Sequence, residues 1–118
     1  MKTAASITIL ALSLTALPAQ AQATGFYQNA VVARFTPQDM ALLQAALDAA
    51  LRDPNDGIAH EWKNEKTAAS GAVTPGKTTT VGTAACREVS VLNRYKNDQG
   101  EAAYKFCQNA TGAWKLAP

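Results

Sequence analysis

The residues in this chain that could do chemistry are few. His60-Glu61 is the one place where proton transfer could begin, because an imidazole beside a carboxylate is the smallest acid–base pair. A catalytic histidine also needs a nucleophile or a metal, and a group to orient it. Ser70 and Ser90 lack the sharp strand–turn–helix setting of an activated serine. His60 is the only histidine, so a metal site would want more ligands than the pattern offers. His60 shares strand parity with Trp62, which reads as a half-exposed surface histidine. No catalytic, cofactor-binding or metal-binding residue is therefore expected, and no cofactor.

Three further motifs are formal matches only. Gly71 to Thr78 fits the phosphate-loop string GxxxxGK[ST], but Pro75 removes a backbone donor and no helix follows. Asp53-Pro54-Asn55-Asp56-Gly57 is turn chemistry that lacks the later ligands of a calcium loop. Asn109-Ala110-Thr111 matches a glycosylation acceptor.

Cys86 and Cys107 are the whole thiol inventory. Their spacing excludes a CxxC redox pair, and in an oxidising compartment an isolated pair reads as a disulfide. The aromatics Trp62, Tyr95, Tyr104, Phe106 and Trp114 supply mainly the core of a small domain. Trp62 and Trp114 are the candidates for a binding surface.

The compartment follows from the first residues. Lys2, the apolar run from Ala4 to Leu17, the helix-breaking Pro18 and small residues at Ala19 and Ala21 make residues 1–21 a cleavable signal peptide. That run falls short of the roughly 20 residues a membrane helix needs. Export to the periplasm or outer membrane is expected, with no transmembrane segment after cleavage. Lys and Arg total 11 against 9 Asp and Glu, without a run of one sign, so no basic face for nucleic acid is expected.

What remains is a lead over 22–35 and a single domain over 36–118. Thr36 as N-cap, Pro37 in the first turn and Asp39 as capping partner open a helix. Met40, Leu43, Ala46, Leu47, Ala50 and Leu51 recur at helical spacing, and Pro54 stops the helix at about Arg52. Strands are expected at Ile58–Lys63, at Gly71–Thr74 ending in a Pro75-Gly76 turn, and at Thr78–Val81. Others are expected at Arg87–Tyr95, Ala102–Cys107 and Ala113–Leu116. Val89, Val91 and Tyr95 share one face and both cysteines the other, so the cysteines would meet across one antiparallel pair. A turn at Asp98-Gln99 misaligns them; one nearer Lys96-Asn97, or a bulge, aligns them. The expected fold is α+β: an N-terminal amphipathic helix on a small antiparallel sheet of three to five strands, with one disulfide.

The second half carries a family likeness. The order Trp62-Lys63-Asn64, Gly71-Ala72-Val73-Thr74-Pro75, Cys86-Arg87-Glu88, Ala103 with Cys107, and Gly112-Ala113-Trp114 resembles bacterial outer-membrane surface-antigen domains. These are the C-terminal domain of the rickettsial 17-kilodalton surface antigen and its proteobacterial relatives, and the likeness covers residues 58–117. It implies an exported, disulfide-containing β-rich domain at the cell envelope, without enzymatic activity. Many such relatives carry a lipoprotein cysteine and a glycine zipper; here the helix of residues 36–52 stands in the zipper's place. The expected function is binding or structural support in the envelope, toward an envelope protein or cell-wall component. A small periplasmic inhibitor or ligand-binding module directed at a cell-wall enzyme is the alternative, with Thr67–Thr83 as its protruding loop.

Overall fold

A computed structural model describes residues 30–118; the expected signal peptide over 1–21 and the first part of the lead lie outside the described residues. Within the expected lead, Val32–Arg34 form a 3-10 turn, and Val31 and Val32 are buried. The helix, α1, runs Pro37–Arg52. Its start is the expected capping box: Thr36 Oγ1 accepts from the Asp39 N–H at 3.2 Å, and the Asp39 carboxylate accepts from the Thr36 N–H at 2.9 Å. Asp53 is already extended, as a residue before proline must be.

Five strands follow: β1 His60–Asn64, β2 Ala69–Val81, β3 Ala84–Tyr95, β4 Asp98–Gln108 and β5 Trp114–Leu116. They form one antiparallel meander, each strand paired with its sequence neighbour, and the sheet curls about the helix. Leu43, Ala46, Leu47, Ala50 and Leu51 of α1 bury against Trp62, Ala69, Val73, Val89, Val91 and Phe106. The fold is α+β with a disulfide, as the residue pattern implied.

One turn differs from expectation, and one open alternative is decided. Pro75-Gly76 does not end a strand. β2 passes through it with a bulge, in which Gly76 and Lys77 oppose the single residue Glu88, between the pairs Pro75↔Val89 and Thr78↔Arg87. The hairpin between β3 and β4 turns on Lys96-Asn97, with Lys96 at φ 53° and Tyr95 opposite Asp98. Asp98, Gln99 and Gly100 thus belong to β4. This register sets Cys86 directly opposite Cys107, and the two are bonded.

Candidate functional site

Most side chains with chemical potential are occupied in holding the fold. Arg87 is 3% exposed although it is charged. It stands on β3 at the same parity as Val89 and Val91, so its guanidinium enters the space beneath the end of α1. Nη1 donates to the carbonyls of Ala50 at 3.0 Å and Leu51 at 3.3 Å, and also to that of Asp53. Nε donates to Gly76 O at 2.7 Å, and Nη2 to Asp56 Oδ1 at 2.9 Å. The last carbonyls of a helix have no intrahelical donor. Here one cation supplies it, at the end where the helix dipole favours positive charge.

Asp39 does the same work at the other end. Fully buried, it accepts from Asn64 Nδ2 at 2.7 Å and from Thr67 Oγ1 at 2.8 Å, besides the Thr36 N–H. Burial pushes its carboxyl up, but the bonds from Thr36, Thr67 and Asn64 together hold it below the ordinary value.

His60 does not work with Glu61, which points to the opposite face of β1. Its Nε2 lies 2.8 Å from Asp53 Oδ2. Asp53 also accepts from the Asn55 N–H at 2.9 Å. That bond first, and the imidazole second, hold its carboxyl below the usual range. The groove beside this pair is mainly apolar, lined by Leu42, Ala45, Ala46, Ala49 and Ala59 together with Glu61 and Trp62. Among the described residues no group of three or more His, Cys, Asp and Glu is placed to hold a metal ion. The formal phosphate loop, Gly71 to Thr78, is part of β2. Asn109 Oδ1 accepts from the N–H groups of Thr111 and Ala113, which builds the turn before β5.

The two tryptophans fall in different places. Trp62 is interior, 7% exposed, with Phe35 edge-on at 5.2 Å. Its indole occupies the space a Cβ on Gly71 would need. Trp114 is half-buried and faces a groove of about 520 Å³ between α1 and β5. Gln44, Asp48, Arg52, Gln108 and Lys115 line the rest of it. Asp48 accepts from Gln44 at 3.1 Å. Arg52 and Lys115 have no ion-pair or hydrogen-bond partner among the described residues. Trp114, the unpaired Arg52 and the polar side chains of Gln44, Asp48 and Gln108 therefore border one concave, mainly polar surface, while Lys115 alternates to the other face of β5.

Sequence reasoning placed Trp114 but not its companions, since Gln44, Asp48 and Arg52 come from a helix whose position on the sheet no local pattern reveals. Among the described residues, no helix is long and apolar enough to cross a membrane. No protein-family model, curated protein or solved structure matches the chain.

Proposed function

We propose that this chain is a non-enzymatic binding domain of the bacterial envelope that holds an acidic cell-wall glycan in the groove at Trp114. The groove carries the reading. Trp114 offers a flat apolar face for a sugar ring, Arg52 offers charge to a carboxylate, and Gln44 and Gln108 offer amides to hydroxyls. The leader-like residues 1–21, the Cys86–Cys107 bond and the resemblance to envelope surface antigens support an exported setting. The engagement of Arg87, Asp39 and the His60–Asp53 pair in structural contacts supports binding rather than turnover.

The test is co-sedimentation of the purified chain with isolated cell-wall sacculi, together with tryptophan-fluorescence titration by soluble acidic wall fragments. Binding that is lost in Trp114→Ala and in Arg52→Glu is expected. Equal retention of the variants and the parent chain would sink the reading.

A specific observation favours a second reading, the inhibitor. Residues 77–83, at the far end of the β2–β3 hairpin, are all exposed, and Val81 at its tip is 55% exposed. A protruding arm of this kind suits insertion into an enzyme cleft. Recovery of one stoichiometric cell-wall hydrolase from envelope extract, abolished by Val81→Asp, would decide for it.

A further inference from the structure

β1 is an edge strand with one side unused. His60–Asn64 pair with β2 only, and no turn or loop backbone bond reaches them among the described residues. Such an edge presents unpaired N–H and C=O groups to any strand of suitable sequence. The opposite edge, β5, has only three residues and offers little ladder.

The sequence of β1 selects its own partner. Antiparallel pairing that continues the sheet must oppose residues of the same face, the inward His60, Trp62 and Asn64 among themselves and the outward Glu61 and Lys63 likewise. For a second copy of β1, the well-overlapped registers of this kind are centred on Glu61, Trp62 or Lys63. Centring on Glu61 opposes glutamate to glutamate. Centring on Lys63 opposes lysine to lysine and sets Glu61 against Glu65. Centring on Trp62 sets Glu61 of each copy against Lys63 of the other, twice by symmetry. Opposite charges directly across a ladder stabilise it and like charges weaken it, so the charges single out this register.

The helix fits the same arrangement. α1 packs over β1 and β2, and its buried side also meets Val89 and Val91 of β3 and Phe106 of β4. A two-fold axis normal to the sheet leaves both helices on one face. The flank of α1 toward β1 carries Leu42 and the small Ala45 and Ala49, along an open groove of about 530 Å³ that Ala59 also lines. Ile58, 52% exposed just before the strand, extends the apolar strip.

We infer that the chain forms a two-fold homodimer through β1 in the Trp62-centred register, joining two five-stranded sheets into one with the helices side by side. The Trp114 groove stays open in this dimer, so the inference stands apart from the glycan reading. Sedimentation velocity of the purified chain over a wide concentration range should show a reversible monomer–dimer equilibrium. Glu61→Lys alone and Lys63→Glu alone each replace attraction by repulsion, and should weaken the dimer on the order of tenfold or more. Mixing the two variants in equal amounts restores opposite charge at both pairs and should return dimerisation to near the parent level. Both positions are exposed, so at concentrations low enough for all chains to be monomeric the variants should keep the parent melting curve. A parent chain that is monomeric throughout, a dimer indifferent to both substitutions, or a mixture that fails to associate would overturn the inference.

Discussion

Arg87 on β3 donates to the main-chain carbonyl of Ala50 at 3.0 Å, so a strand residue completes the end of the helix. The same guanidinium reaches the Gly76 carbonyl at the β2 bulge and the carboxylate of Asp56 in the turn after the helix. One planar group on β3 therefore ties the end of the helix and the turn after it to the bulge of β2.

Arg87→Met is expected to destabilise the domain by about 3 kcal/mol or more, because buried carbonyls lose charge-assisted donors. Arg87→Lys should recover little of this, since an ammonium cannot span the same fan of acceptors. Urea melts of the two variants beside the parent check both statements.

Asp39 gives the fold an acid limb. Its folded pKa lies below the ordinary 3.8, so the stability it contributes is complete above that value and is lost as pH falls through the lower, folded one. Asp39→Asn should cost about 2–4 kcal/mol at neutral pH through the cap and the orphaned Asn64 and Thr67 donors. The gap between the variant and the parent should narrow as pH falls below about 4. Melting temperature followed from neutral to acid pH measures it; a gap that stays constant would show that the carboxylate charge is immaterial.

Gly71 is fixed by space rather than by backbone angle. A Cβ there would stand 2.5 Å from both Leu92 O and Trp62 Nε1. Gly71→Ala should therefore destabilise by about 1–3 kcal/mol through overpacking. Trp62→Phe in the same chain should relieve part of that cost. Additive losses in a double-mutant cycle would show that the clash lies with Leu92 instead.

The Cys86–Cys107 bond spans 21 residues, and closing a loop of this length contributes roughly 3 kcal/mol by restricting the unfolded chain. Denaturation of oxidised and reduced protein should differ by about that amount. Coincident curves would leave the bond without a structural role.

Much of this architecture is written locally, and what is not has a common physical origin. Thr36, Pro37, Asp39 and Pro54 delimit α1 because caps and breakers act within a turn of themselves. The parity of Val89, Val91, Cys86 and Cys107 gave the faces of β3 and β4, since alternation is a property of each strand alone. Pro75 and Gly76 read as a turn because both are common in turns, yet a bulge accommodates them, with the Pro75 carbonyl accepting from Gly57 at 2.8 Å. Lys96 holds a positive φ that glycine or asparagine usually takes, so local turn preferences point to Asp98-Gln99 and only the pairing of the two cysteines points to Lys96-Asn97. Arg87 left one unread signal: a charge at the parity of two valines must be buried and must find acceptors. The Asp53–His60 contact and the polar wall of the Trp114 groove left none, because both depend on how α1 lies on the sheet.

The strand order β1-β2-β3-β4-β5 also has a consequence for the time course of folding. Every ladder joins sequence neighbours, so the sheet can zip hairpin by hairpin at small loop-closure cost. The helix follows a different clock. Its terminal carbonyls are satisfied by an arginine 37 positions downstream of Ala50, so a chain emerging N-terminus first presents α1 well before its closing group arrives. The helix gains its full stability only once β3 is in place.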